Sequence, residues 1–209
     1  MFSGQTALRA AVLAFGLVWA GAAFTAPADA AGEADRAARW VQQSGDHVGR
    51  PFAVVDKQTA RLFVYTADGR LAGASPALTG QTRGDHALPG TGSKPLSQIT
   101  VEERTTPSGR FASEPGRNLD DEDIVWLDYD AGLAIHRLRS GRAEAARKRS
   151  LASATPDDNR ATLGCVVVPV AFYEQVVQPL LGRQRGVVYV LPETQPLAAF
   201  LGQLQQAAQ

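Results

Sequence analysis

Short runs of alternating or continuous apolar residues dominate the middle of the chain, which predicts strands rather than long helices. Phe52–Asp56 and Arg61–Tyr65 flank a polar turn, and Asp68-Gly69 is a hairpin signal that leads into a third run, 71–75. Further strands are predicted at 99–101, 110–112, 124–129, 133–136, 165–168 and 186–191. This spacing is typical of a mainly β, α+β fold.

A few stretches carry a helical pattern instead. Residues 33–43 and Glu144–Ala152 are rich in alanine and charge, and residues 169–181 place apolar side chains at helical spacing before Gly182. The tail, 196–209, is predicted to form a weakly amphipathic helix or to fray. Residues 80–94 are rich in glycine and proline and are predicted to form a long loop, a kind of loop that often carries function. A shorter loop is predicted at 155–159.

The first thirty residues have the composition of a secretory signal. Arg9 supplies the positive charge, residues 10–24 are apolar, and Ala28-Asp29-Ala30 fits the small-x-small cleavage rule. The apolar run is shorter than the ~20 residues that a spanning helix needs, although an uncleaved anchor is the alternative. We therefore expect an exported protein of the periplasm or cell envelope, without a stable membrane span after cleavage.

The rest of the chain suits one domain with one sizeable core. The expected organisation is a signal peptide at 1–30, a helical lead-in at 31–50, the main domain at 51–192 and a tail at 193–209. Lys and Arg number 21 against 21 Asp and Glu, a balance that does not favour nucleic acid as a partner. The composition indicates no oligomeric state.

Metal and cofactor chemistry have little support in the sequence. A single cysteine and three scattered histidines do not give zinc spacing, and the acidic run 120–123 lacks the glycine and spacing of a calcium loop. The basic segment 137–149 is interpreted as a solvated face, with a contact for carboxylates on a wall polymer as the alternative. No Gly-x-Ser-x-Gly elbow of a serine hydrolase is present.

Cys165, the only cysteine, is the most informative residue. It cannot form a disulfide within the chain, so it is a buried small hydrophobe, an intermolecular bridge or a reactive thiol. Its position at a predicted junction of loop and strand favours a nucleophile. His136 ends another predicted strand and is the candidate base, whereas His47 is expected to be solvated and His86 is a weaker candidate in the long loop.

The order of several motifs resembles the L,D-transpeptidase (YkuD-like) catalytic domain over about 51–192. The matching elements are Asp56-Lys57-Gln58, Leu78-Thr79-Gly80, Thr105-Thr106-Pro107-Ser108-Gly109-Arg110-Phe111, Ile135-His136 and Thr162-Leu163-Gly164-Cys165-Val166. The resemblance implies a β-sandwich-like fold with one or two packed helices. It also implies that Cys165 is the nucleophile and His136 the base, that Thr162 and Gly164 are motif positions, and that backbone amides near the cysteine hold the oxyanion.

Three positions depart from the family pattern. Leu163, Val167 and Arg137 stand where the family usually has histidine, arginine or asparagine, and glycine, respectively. The resemblance implies acyl transfer from a peptidoglycan stem peptide through a thioacyl-enzyme, without a cofactor. The alternatives are an L,D-carboxypeptidase, a catalytically weakened wall-binding module of the same fold, and a purely structural cysteine. A thiol pKa well below about 8.5 would favour the nucleophile.

Overall fold

Ten strands and several helices form the part of the chain that the computed structural model describes, Met1 and residues 32–207. The predicted signal segment, apart from Met1, lies outside the described residues. The strands are β1 (Phe52–Asp56), β2 (Arg61–Tyr65), β3 (Leu71–Pro76), β4 (Thr79–Gly80), β5 (Gly109–Arg117), β6 (Asp123–Asp128), β7 (Leu133–Arg137), β8 (Arg160–Thr162), β9 (Val166–Val168) and β10 (Gly186–Val190).

The helices are shorter in total than the strands. They are α1 (Glu33–Ser44), α2 (Glu144–Ala152), α3 (Val170–Phe172), α4 (Gln178–Leu180) and α5 (Leu197–Ala207), with a π-helical turn, Tyr173–Val177, between α3 and α4. Single 3-10 turns occur at Thr91–Ser93, Leu96–Gln98, Val101–Glu103 and Pro156–Asn159. The predicted mainly β, α+β fold class is confirmed.

Eight strands form one mixed sheet in the order β3-β2-β1-β10-β5-β6-β7-β9. The β1–β10 and β7–β9 pairs are parallel, and the other neighbours are antiparallel. Just after β3, the Leu78 N–H donates to the Val167 carbonyl at 2.7 Å, and the Val167 N–H donates to the Leu78 carbonyl at 3.0 Å. Because this bridge joins the two edges of the sheet, the sheet is nearly closed into a barrel-like sandwich.

The main core lies inside this curved sheet. It draws side chains from strands across the sheet, and the helical stretch from α3 to α4 packs among them through Tyr173 and Val177. Both of these side chains are fully buried. Burial of a side chain of this size stabilises the fold by roughly 2 kcal/mol. The alternating strand pattern thus places one set of residues inside, and the opposite set faces outward.

A second apolar layer covers the outer face of β1 and β10. Alpha helices α1 and α5 pack there against residues such as Phe52 and Tyr189. Phe52 also stacks on Tyr65, with the ring centroids 4.6 Å apart. The lead-in and the tail therefore belong to the same compact unit as the sheet, Ala31–Gln209. The domain boundaries at 51 and 192 stay a prediction.

The predicted helix at 169–181 contains the π-helical turn. Pro179 has no N–H, so an α pattern would leave the carbonyl four residues earlier without its donor. The π-helical turn at Tyr173–Val177 has a wider hydrogen-bond pattern, which lets the helical stretch continue in spite of the missing donor. In the described part of the chain, no helix is long and apolar enough to cross a membrane.

One local prediction of a strand is wrong. Residues 99–101 do not form a strand, because Glu103 reaches back to the Thr100 N–H at 2.9 Å and a capping box starts a 3-10 turn there. The loop predicted at 155–159 contains the 3-10 turn Pro156–Asn159, which proline favours at its start.

Candidate active site

The register of β7 on β9 places the candidate thiol and imidazole on one face of the sheet. His136 is the register partner of Val167, and Ile135 is the partner of Val166. Ile135 and Val166 point into the main core. Because side chains alternate along a strand, His136 and Cys165 project from the opposite face as diagonal neighbours. Strand spacing and rise put their Cα atoms about 8 Å apart.

The Cys165 thiol is half-buried at the loop that leads into β9. Its Sγ donates to the Gly132 carbonyl, with 3.4 Å between the sulfur and the oxygen. Burial raises the pKa of the Cys165 thiol, although a hydrogen bond with the Ala134 backbone and the positive charge of Arg139 act in the opposite direction. The thiol is therefore protonated at neutral pH.

His136 is held in one tautomer. Its Nδ1–H donates to the Arg137 carbonyl at 2.8 Å, which leaves the Nε2 lone pair free to take a proton. Burial, together with the charges of Arg139 and Arg147, lowers the pKa of His136 to about 4, against the opposing effect of the Arg137 hydrogen bond. Among the described residues, no hydrogen bond joins His136 to Cys165, so the resting pair consists of a neutral imidazole and a neutral thiol.

Thr162 fixes the conformation of the cysteine loop. Its hydroxyl accepts from the Gly164 N–H at 3.1 Å and donates to the Cys165 carbonyl at 2.7 Å. Gly164 has φ +141°, and a Cβ there would lie 3.0 Å from the Thr105 carbonyl oxygen. Because the Gly164 N–H is already bonded within the loop, it is not free for an oxyanion in this conformation. The oxyanion roles implied for Thr162 and Gly164 stay predictions.

A second hydroxyl ties the same loop to the rest of the fold. Thr106 accepts from the Gly80 N–H at 2.8 Å and donates to the Gly164 carbonyl at 2.6 Å. Gly80 cannot carry a side chain, because a Cβ would lie 2.2 Å from the Arg104 carbonyl oxygen. Thr79-Gly80, Thr106 and Gly164 come from three of the motifs in the sequence, and the structure brings them together behind the cysteine.

A buried charge network supports Thr106, and sequence reasoning missed it. The Lys57 ammonium donates to the Asp85 carboxylate and to the Thr106 carbonyl, both at 2.9 Å, and lies 3.5 Å from Glu193. Burial would raise the pKa of Asp85, but hydrogen bonds from Thr194 and Lys57 outweigh it and hold this pKa at about 2. The only sequence feature that points to this network is Lys57 itself, a lysine directly after the apolar run of β1.

The three departures from the family pattern have different surroundings. Val167 is buried in an apolar cluster with Leu78, Leu138 and Leu151, and Leu151 belongs to α2. Leu163, in the cysteine loop, is half-buried. The Arg137 side chain leaves the site, since its guanidinium lies 5.1 Å from the centre of the Tyr173 ring and 3.2 Å from Glu174. Arg137 contributes to the site through its backbone carbonyl, which accepts the hydrogen bond from His136.

Among the described residues, neither of the other two histidines has a hydrogen bond with His136 or Cys165. His86 is exposed. The expectation that His47 is solvated is wrong: its ring packs on Phe52 with centroids 5.2 Å apart, and its Nε2 lies 3.2 Å from the Ala67 carbonyl. It is buried because the turn after α1 folds onto β1. Within the described residues, no group of His, Cys, Asp and Glu is arranged to hold a metal ion.

The chain has distant structural neighbours. No family model and no curated protein matches it. It is similar to an L,D-transpeptidase from Xylanimonas cellulosilytica, with a TM-score of 0.40 and 20% identity over 68% of this chain and 60% of that one. It is also similar to the LD transpeptidase LdtMt1 in complex with imipenem, with a TM-score of 0.39 and 14% identity over 68% and 58%. The chain thus spans about 60% of the neighbours it matches, and likeness at this level carries no argument about activity.

Proposed function

We propose that this chain is an exported, cysteine-dependent L,D-transpeptidase that acts on peptidoglycan stem peptides. The observation that carries the proposal is the shared face of Cys165 and His136 on adjacent parallel strands. The fixed tautomer of His136 and the hydroxyl-braced cysteine loop add to it. Export rests on the composition of the first thirty residues.

In the proposed reaction, the thiol of Cys165 passes its proton to Nε2 of His136 while the sulfur attacks the carbonyl carbon of the donor peptide bond. The tetrahedral intermediate collapses with cleavage of the C–N bond. The leaving amine takes the proton from the imidazolium, and a thioester remains on Cys165. An amine from a second stem then attacks the thioester, and the sulfur leaves as the thiol after proton return through His136.

Two alternatives to this function exist, and only the first shares the first half of the scheme. If water takes the acyl group from Cys165, the same site is an L,D-carboxypeptidase. A wall-binding module without turnover is the other candidate. The burial of Val167 and the raised pKa of the Cys165 thiol favour that candidate, because both remove polar support from the nucleophile.

Mass spectrometry of the intact protein tests the proposal. A carbapenem or a tetrapeptide stem is expected to leave an acyl adduct on Cys165 of the native protein, and none on Cys165→Ala. Muropeptide analysis then separates the three functions. New crosslinks indicate the transpeptidase and shortened stems indicate the carboxypeptidase. A peptidoglycan pull-down that Cys165→Ala leaves unchanged, with no adduct on the wild type, would establish the binding module instead.

A further inference from the structure

Helix α2 lies over the face of the sheet that carries the thiol and the imidazole. Leu151 of α2 and Leu138 pack in one buried cluster with Val167 and Leu78. Val167 is the register partner of His136. The cluster therefore fixes α2 beside His136, on the outer face of β7 and β9.

Arg147 sits on the side of α2 that faces the site. It precedes Leu151 by four residues, so the two side chains lie on one face of the helix. Arg147 is half-buried, and its charge lowers the pKa of His136. No ion pair of Arg147 occurs among the described residues, whereas its neighbour Lys148 pairs with Glu144 at 2.6 Å.

A second guanidinium adds to the positive charge. Arg139 lies 2.9 Å from Glu122 and 3.6 Å from Asp120, which hold it in place. Its charge acts on both the Cys165 thiol and His136. Arg139 thus engages Glu122 and Asp120, and Lys148 engages Glu144, whereas Arg147 has no ion pair among the described residues.

We propose that Arg147 binds a carboxylate of the donor peptide beside the bond that Cys165 attacks. This inference rests on the proposed function. A guanidinium is planar and presents two parallel N–H groups that match a carboxylate, so an unpaired, half-buried arginine suits this ligand. The carboxylate belongs either to the C-terminal residue that leaves or to the side chain of the residue that is transferred.

Matched synthetic peptides separate these two sources. One tetrapeptide stem carries both carboxylates, a second has a C-terminal carboxamide, and a third has a side-chain carboxamide on the transferred residue. For the wild type, kcat/KM is expected to fall about tenfold on the amide that removes the bound carboxylate. Arg147→Gln is expected to lose about tenfold on the acid peptide and little on that amide, and Arg147→Lys is expected to recover part of the loss. Arg149→Gln, an exposed arginine of the same helix, is the matched control and should behave as the wild type.

Binding to Cys165→Ala gives a readout that does not depend on turnover. Calorimetry is expected to show about a tenfold difference in Kd between the acid peptide and one amide, and the added Arg147→Gln change should remove it. Equal affinity for all three peptides, or no binding to any of them, overturns the subsite. If binding discriminates but the wild type forms no acyl adduct, the proposed enzyme fails and the subsite stands.

Discussion

Burial of the neutral His136 ring makes the stability of the protein depend on pH. The pKa of this imidazole is lowered from its ordinary 6.5 to about 4 in the folded chain. Because the unfolded chain then binds the proton more readily, protonation favours unfolding. The stabilising contribution is complete above about pH 6.5 and is lost as the pH falls toward 4. At 1.36 kcal/mol per pH unit, the interval is worth about 3 kcal/mol.

The perturbation that isolates this contribution is His136→Gln, which removes the titrating group. Urea unfolding followed by tryptophan fluorescence at pH 7.5 and pH 4.5 gives the free energy of unfolding for each protein. The wild type is expected to lose about 2–3 kcal/mol more than the variant between these two values. Other ionisable groups titrate in both proteins, so the comparison cancels them to a first approximation.

The matched control is His86→Gln, because the His86 side chain is exposed to solvent. Its stability should follow the wild-type dependence on pH. Equal losses for the wild type and His136→Gln would refute the reasoning, since they would mean that His136 titrates alike in the folded and unfolded chains.

Three further perturbations probe the groups around the pair. Lys57→Met leaves the buried carboxylate of Asp85 without its cation, while Glu193 keeps its ion pair with Arg160, and should lower the free energy of unfolding by about 3–5 kcal/mol; Lys148→Met on the surface should change it little. The alkylation rate of Cys165 by iodoacetamide should keep rising above pH 8.5, and a plateau near neutral pH would contradict a raised thiol pKa. Leu151→Ala should lower the free energy of unfolding by about 2–4 kcal/mol while increasing the alkylation rate at neutral pH, and an unchanged rate would show that α2 does not shield the thiol.

Local patterns predicted the elements of the fold well where local forces decide them. The predicted helix Glu144–Ala152 has the observed bounds, and the hairpin strands near Asp68-Gly69 were placed to within one residue. The strand predicted at 99–101 does not form, because the Glu103 side chain caps a 3-10 turn that starts at Thr100. A strand at this position would have no neighbouring strand to pair with. The closure between Leu78 and Val167 could not be predicted, since it joins residues that are 89 positions apart in the chain.

The site was predictable in its chemistry but not in its support. The alternating pattern of β7 and the position of Cys165 before β9 sufficed to nominate the pair with His136. Lys57 contacts Asp85 and Glu193, which lie 28 and 136 positions further along the chain. The periodicity of apolar residues gives no information on contacts over such separations. Val167 shows the same limit: it stands at a departure from the family pattern, and only the structure reveals that it anchors α2.

The burial that holds α2 in place also sets the difficulty of the first chemical step. With the pKa of His136 lowered to about 4 and that of the Cys165 thiol raised by burial, moving a proton from Cys165 to His136 in the resting protein is strongly unfavourable. The thiolate–imidazolium pair is therefore a minor species of the resting protein. A donor peptide that covers the site must offset this cost, whereas a small electrophile cannot. Slow alkylation together with efficient acylation by a stem peptide would therefore mark an enzyme, and slow reaction with both would mark a binding module.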